Sequence, residues 1–285
     1  MKLHRMTLAF LSALLLLFAI GCDAAGSDDE TLTTSASDDV AASVSSLVSE
    51  DTGGLLDQVG DLFDMATVDG ITASAGKAAG DSLHDRSYDE ATGTWTVSFT
   101  REHTSDDGLR HATMSRVYQV QFLDAGGTPQ QFFITDDDTA RSINFTIVEG
   151  SGTLETPHLS AARSNITGAF TATGVHTDEV TVNGTYSRSG AHTLTTANAV
   201  RTLDYDLAVE VIDLVGPRGS RRDLSQKISG TVNGTYSGHA TFTRGDLYRE
   251  RDIDRTVTII IDNGEASITV NGNTYAGNAQ TGDVG

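Results

Sequence analysis

The chain has 285 residues, 19 Lys+Arg against 39 Asp+Glu, a formal net charge of −20 and a single Cys. That charge excludes a general nucleic-acid binder, because phosphate contacts need basic surface. One Cys excludes an intramolecular disulfide framework and any multi-Cys zinc site, while the length suffices for one large or two small domains with a real core.

Lys2 and Arg5, with no acid beside them, precede an almost wholly apolar run from Met6 to Ile20. A positive region followed by a short apolar one is the layout of a secretory signal. At about 1.5 Å per residue the run spans roughly 22 Å, short of the ~30 Å hydrocarbon core of a bilayer. It ends Phe18-Ala19-Ile20-Gly21-Cys22, with Asp23 next, so the one Cys directly follows a small residue. This segment resembles the lipobox of bacterial secreted lipoproteins, with Ala19 where that family usually has Leu. The resemblance implies cleavage between Gly21 and Cys22, lipidation of the Cys22 thiol and acylation of its new amino group. Two or more acyl chains make anchoring stable. The expected partner is therefore a membrane, held through lipidated Cys22, and the expected location the cell envelope. The outer membrane is favoured, although Asp23 resembles an inner-membrane retention signal of enteric bacteria.

Acidity is concentrated early in the mature chain: residues 22–90 hold sixteen acids against Lys77 and Arg86 alone. Lys occurs three times and Arg sixteen. Such a balance fits a salt-loving bacterium, where screening shortens to about 3 Å at 1 M salt, and equally a GC-rich genome. An acidic calcium-buffering arm is a third, weaker reading. Residues 22–37 read as an acidic tether and residues 1–21 as the signal peptide. Val40, Val44, Leu47 and Val48 then recur at helical spacing, behind Ser37 as N-cap with Asp38 and Asp39 in the first turn. Gly53-Gly54 stops this run, and Leu55, Leu56, Val59, Leu62 and Phe63 repeat the pattern. Two short amphipathic helices are expected within 38–66, capping an open end or edge of the sheet that follows; a partner-binding helix pair is the other use for them. Residues 67–91 read as a connector.

From residue 92 the period changes to two. Trp95, Val97 and Phe99 alternate with polar residues, as do Tyr118, Val120 and Phe122. Further strands are expected at Phe132–Thr135, around Ile143, Phe145 and Ile147, around Ile166 and Phe170, around Val180, Val182 and Tyr186, from Leu203 to Val211, and from Ile228 to Tyr236. Val257, Ile259 and Ile261 precede Asn263-Gly264, and Ile268 and Val270 precede Asn271-Gly272; Asn-Gly between alternating runs signals a type I′ hairpin. Thr181–Ser187 recurs identically at Thr231–Ser237 and more loosely at Thr269–Tyr275. In the first two copies the alternation runs through the Gly, so a continuous strand is favoured there over a turn. The uneven spacing of the copies does not support a propeller or solenoid. One apolar face opposite a Thr-, Ser- and Asn-rich one means antiparallel strands buried on one side. The fold class is mainly all-β, an antiparallel meander over 92–278 that forms a curled sheet, sandwich or barrel, preceded by one or two short helices and followed by a tail at 279–285.

No nucleophile elbow, zinc-protease helix, phosphate-cradling loop or EF-hand spacing occurs, so no catalytic, cofactor or metal residue is assigned. His84, His103, His111, His158, His176, His192 and His239 are scattered; His103 and His111 flank one hairpin but read as ordinary strand residues. Asp136-Asp137-Asp138 offers oxygen ligands of the kind Ca²⁺ takes, yet three consecutive acids cannot all turn inward, which favours a solvated loop. Asp204 and Asp206 share a strand face, as do Asp252 and Asp254; paired carboxylates serve glycoside hydrolysis, while Arg249, Arg251 and Arg255 nearby favour cross-strand ion pairs. Arg218-Gly219-Ser220-Arg221-Arg222 is a basic loop suited to an anionic glycan or headgroup or to an exposed hairpin tip. The Asn-x-Thr triplets at Asn144, Asn165, Asn183 and Asn233 read as strand and turn residues. The leading expectation is a non-catalytic, lipid-anchored envelope protein with a structural or binding role, its ligand an envelope protein, a glycan or a lipid and its partners including no nucleic acid. The alternatives are a carrier of an apolar ligand such as lipid, and an envelope or polysaccharide hydrolase using strand carboxylates.

Overall fold

The computed structural model of the chain describes residues 40–41, 43–45, 47–49, 53–67, 71, 82–104, 108–109, 111–135, 138–219 and 228–284. The signal segment, Gly21, Cys22 and the tether lie outside them. The strands are β1 (Ser82–Asp89), β2 (Thr94–Thr104), β3 (His111–Leu123), β4 (Pro129–Gln130), β5 (Ser142–Glu155) and β6 (Leu159–Thr173), followed by β7 (Glu179–Thr195), β8 (Val200–Pro217), β9 (Ser229–Arg244), β10 (Leu247–Asp262), β11 (Glu265–Val270) and β12 (Asn273–Asn278). They form one antiparallel sheet in sequence order, with β4 as a side branch on β3. β1 and β12 are its two edges, so the meander is an open sheet rather than a barrel or sandwich.

Turn chemistry accounts for the register. Asn263 and Gly264 adopt φ of 52° and 84°, Asn271 and Gly272 φ of 46° and 89°. Positive φ at both central residues is the type I′ requirement, and it matches the twist of the flanking strands. The other two copies of the repeated heptapeptide run straight through as strand, in β7 and β9, with a register shift at Val182/Gly184. Asn165 takes φ of 51° at the β6–β7 irregularity between Ser164 and Thr167, a left-handed position that Asn tolerates better than most residues.

Val40, Ala41, Ser43, Val44, Ser45, Leu47 and Val48 are helical, and a second helix spans Leu55–Met65. The second helix is covered on every side. Leu55, Leu56, Val59, Leu62 and Phe63 are at most 1 % exposed, and Gln58, Asp61 and Asp64 on the other sides of the same helix are at most 3 % exposed. A helix covered all round is an interior helix. Its residues share one apolar cluster with Val97 and Phe99 of β2 and Ile268 and Val270 of β11. The sheet therefore curls around the helices, and its concave face is filled by them. In a sheet with strands of 14 to 18 residues from β5 to β10, twist generates a trough that the helices occupy.

Two further expectations change. Phe132–Thr135 is not a strand: bends lead to a single bridge from Ile134 to Thr139, and Pro129–Gln130 pairs with β3 instead. The sheet also begins at Ser82, inside the segment read as a connector. β1 is the edge strand, and Asp85, Arg86 and Ser87 are exposed, so it carries no period-two apolar signal, as befits an edge.

Candidate functional site

Strand parity sorts the charges of the sheet onto opposite faces. In β8, Tyr205, Leu207, Val209 and Val211 are buried while Asp204, Asp206 and Glu210 are exposed. In β10, Ile253, Val257 and Ile259 are buried while Glu250, Asp252 and Asp254 are exposed. Arg249, Arg251 and Arg255 carry the parity of Ile253, and so lie on the concave side, opposite the aspartates. The parity of the strand thus separates these arginines from Asp252 and Asp254 of their own strand. Asp252 instead meets His239 Nδ1 at 2.7 Å, and Asp206 accepts from the Ser189 hydroxyl at 2.6 Å.

On the concave face, beyond the helices' apolar contacts, the inner rows turn basic. One cross-strand row reads Arg188, Leu207, Tyr236, Arg255; the next reads Arg163, Gly190, Tyr205, Gly238, Ile253. Arg116 enters from β3, opposite Gly150 of β5. Arg116 and Arg188 are 1 % and 3 % exposed, and Arg163 and His192 are half-buried at the rim. Tyr205 is the centre of a stack: its ring lies 5.2 Å from His192 at 18° and 6.0 Å from Tyr236 at 11°. The Arg188 guanidinium carbon stands 6.0 Å from the same ring, within reach of a cation–π attraction. Gly190 is required there, since a Cβ would overlap the Tyr205 ring and hydroxyl.

The hydrogen-bond supply of this recess is unbalanced. Arg116 Nη1 donates to the carbonyls of Ser115 and Ser151 at 2.8 and 2.7 Å. Among the described residues, Arg116 Nε, Arg188 Nε and Nη1, Arg255 Nε and the Tyr205 hydroxyl are buried and meet no hydrogen-bond partner at good geometry. A buried charge with unmet donors costs several kcal/mol of order, far more than an exposed one. The cations also act on each other: burial, then Arg188 and Arg116, lowers the Arg163 guanidinium to a pKa of about 10, and burial, then Arg163 and Arg188, lowers His192 to about 4. His192 is thus a neutral imidazole at pH 7, able to accept or to donate a hydrogen bond.

Of the polar residues singled out from the sequence, His192 and Arg255 belong to this recess, and those that follow are placed apart from it. His111 Nδ1 contacts the Thr104 hydroxyl at 3.1 Å; the side chains of His84 and His103 are outside the described set. Asp136 and Asp137 are outside it too, and Asp138 accepts from the Thr139 amide at 2.8 Å and meets Arg141 at 3.4 Å. Of the basic loop, Arg218 and Gly219 are described: Arg218 lies 5.9 Å from the Phe133 ring, and the Gly219 amide donates to the Phe63 carbonyl at 3.0 Å, tying the loop to the inner helix. Asn144 joins an outer polar ladder, donating to Gln121 and accepting from Thr171 at 3.4 Å each, while Asn183 donates to Asp213 at 3.2 Å. A shallow open depression of about 930 Å³ lies on the outer face, floored by Gly168, Ala169, Ala208 and Gly234 and edged by Thr146, Thr185 and Glu210. Among the described residues no three His, Cys, Asp or Glu side chains converge as a metal site would require, and no helix is long and apolar enough to cross a membrane.

The arginine recess escaped the sequence because its members are spread over β3, β6, β7 and β10. The available signal was parity: in Arg249-Glu250-Arg251-Asp252-Ile253-Asp254-Arg255 the bases share Ile253's face and the acids do not. Comparison of the chain with protein-family models, curated proteins and solved structures returns no match.

Proposed function

We propose that the chain is an exported, lipid-anchored protein of the bacterial cell envelope with a non-catalytic binding or structural role. The observation that carries this reading is the single Cys at the one position a lipobox needs, behind a basic and then apolar leader. The fold is compatible with it. The acidic, Thr-rich convex face is the surface offered to the surroundings, with the outer ladder and shallow depression as contact points for an envelope polymer or protein. The space that a carried lipid would need is taken by Leu55, Leu56, Val59, Leu62 and Phe63, so the carrier reading draws no support from the concave face. Asp204 and Asp206 stand exposed on the open convex face, a poor setting for tuning one carboxyl as an acid, so the hydrolase reading draws none either.

The experiment is fractionation of the expressing bacterium with metabolic labelling by a fatty-acid analogue. Wild-type chain is expected in the membrane fraction and labelled; Cys22→Ser is expected unlabelled and released to the soluble exported fraction. Identical partition and labelling of the two would overturn the anchor. Retention of the wild type on isolated, detergent-washed envelope, compared with an unrelated acidic protein, tests the binding role; equal retention of both counts against it.

A further inference from the structure

We propose that the aromatic strip formed by Tyr88, Trp95 and Phe132 at the rim of the sheet binds the sugar rings of an uncharged glycan. This deepens the binding role proposed above by naming its ligand class, and rests on that reading only for where the glycan is met. Trp95 is the one Trp of the chain. Its ring lies 5.1 Å from that of Tyr88 at 44° and 6.1 Å from that of Phe132 at 48°. Phe132 is 52 % exposed and Ile134, two residues on, 46 %; Tyr88 and Trp95 are half-buried. A single exposed apolar side chain needs no explanation, whereas adjoining ones mark a binding surface.

The strip is held in place from both sides. The Trp95 indole Nε1 donates to the Gln131 carbonyl at 2.6 Å. Gln130 Nε2 donates to the Phe132 carbonyl at 2.7 Å. Phe133 is 2 % exposed, its ring meets that of Phe122 edge-on at 6.2 Å, and its carbonyl accepts from the Ala140 amide at 2.9 Å. Phe133 thus anchors the segment in the core, and the exposure of Phe132 is imposed by its neighbours. A preset aromatic surface loses little freedom on binding.

Charge and shape select the ligand. Arg86 is exposed and shares the parity of Tyr88, whereas Asp85 and Asp89 have the opposite parity. Asp89 is also engaged by the Ala91 amide and the Thr92 hydroxyl, at 2.9 Å each. Aromatic rings beside a guanidinium suit a sugar, whose C–H face packs on a ring and whose hydroxyls accept from the planar donors. One Arg, in a chain with a net charge of −20, is too little attraction for an acidic polymer or an anionic bilayer.

The test uses the full chain in a sugar-free zwitterionic detergent and reads Trp95 emission, which reports this strip alone. Cellohexaose and chitohexaose are the neutral probes and polygalacturonate the acidic one. A neutral probe is expected to change the emission saturably, with Kd of roughly 10 μM to 1 mM. Phe132→Ala is expected to weaken binding about fivefold or more, and Phe132→Leu as much, because it keeps an apolar side chain but loses the ring. Both are expected to keep Tm within a few degrees of wild type, since the position is half-exposed. Should neither fold, Arg86→Gln, at an exposed position, is expected to weaken binding about threefold or more. On vesicles that contain brominated lipid, Trp95 emission of the full chain is expected to stay unquenched. The Cys22→Ser fractionation reads the anchor and this titration reads the strip, so the two proposals fail separately. No saturable response to either neutral probe, a response to polygalacturonate alone, undiminished binding in a folded Phe132 variant or, failing those, in Arg86→Gln, or quenching by brominated lipid overturns the glycan site.

Discussion

The Tyr118 hydroxyl of β3 donates to Asp61 Oδ2 of the inner helix at 2.8 Å, with both groups buried. Two further tyrosines among the described residues also tie the sheet to the helices. Gln58 Nε2 donates to the Tyr186 hydroxyl of β7 at 3.3 Å, and the hydroxyls of Ser43 and Tyr236 of β9 lie 3.2 Å apart. The curl is thus fixed by polar contacts from three separated strands as well as by apolar packing. Burial, and then the Asp61 carboxylate, push the Tyr118 phenol well above its ordinary value, so it stays a donor at any physiological pH. Tyr118→Phe takes a donor from a buried carboxylate and is expected to cost about 2–3 kcal/mol. Adding Asp61→Leu to Tyr118→Phe is expected to recover part of that, since no buried acceptor is then left short. Urea denaturation of the three variants checks this; a loss below about 0.5 kcal/mol in Tyr118→Phe would show that the contact does not hold the helix.

The sheet was readable in the sequence wherever one face was buried. Trp95, Val97 and Phe99, or Leu203 to Val211, announce their strands because alternate positions meet the core. β1 was not, because an edge strand exposes residues such as Asp85 and Arg86 that need no periodicity. The helices were readable as helices from Val40 to Phe63, but not as interior ones. Gln58, Asp61 and Asp64 look like a solvent face, and partners from distant strands, such as Tyr118 at Asp61 and Tyr186 at Gln58, meet that face in the interior. The arginine recess needed the same long-range information, together with a parity that short-range charge pairing in β10 obscured.

The repeated heptapeptide marks a second kind of constraint. In β7 and β9 its glycine lies where the neighbouring backbone comes too close for a side chain. A Cβ at Gly234 would overlap the Ala208 carbonyl oxygen and sit 2.8 Å from Val209 Cα; one at Gly184 would overlap the Ala169 carbonyl and sit 2.8 Å from Phe170 Cα. Backbone atoms of a central strand cannot step aside cheaply. Gly234→Ala is therefore expected to destabilise by about 2–3 kcal/mol. Gly245→Ala, at φ +56° with nothing within 4 Å, meets only backbone strain and is expected to cost about 1–2 kcal/mol. Chemical denaturation of the two checks the order; a larger loss at Gly245 would mean that β9 is less tightly paired than its register implies.

His192 predicts an acid sensitivity that belongs to the recess. Its folded pKa of about 4 lies below the ordinary 6.5, owing to burial and then to Arg163 and Arg188. A base whose folded pKa is depressed contributes no penalty above its unfolded value and opposes folding as it is forced to charge below it. Stability is therefore expected to be level above pH 6.5 and to fall between pH 6.5 and 4. His192→Phe keeps the stack on Tyr205 and removes the proton site. Its Tm is expected to fall less over that interval than the wild type's. Parallel Tm–pH curves for the two, after the shared titration of carboxylates below pH 5, would remove His192 as a cause.

His239 on the convex face has the opposite sign. Its hydrogen bond to Asp252, then the charges of Asp252, Glu250 and Asp204, raise its pKa above 6.5. A raised folded pKa means that its contribution is complete below the unfolded value and is lost as pH rises through the folded one. The site is exposed, so the effect belongs to the titration rather than to stability, and salt should weaken it. An NMR titration is expected to place the His239 midpoint above 6.5 in wild type and lower in Asp252→Asn. Asp204→Asn is expected to shift it less: Asp204 faces His239 across the β8–β9 pair but has the weakest of the three charge effects, and its loss leaves the 2.7 Å contact intact. If the Asp204 variant moved His239 as far as the Asp252 variant, the three side chains would act as one coupled cluster, and the convex face would hold a shared proton site rather than a row of solvated carboxylates.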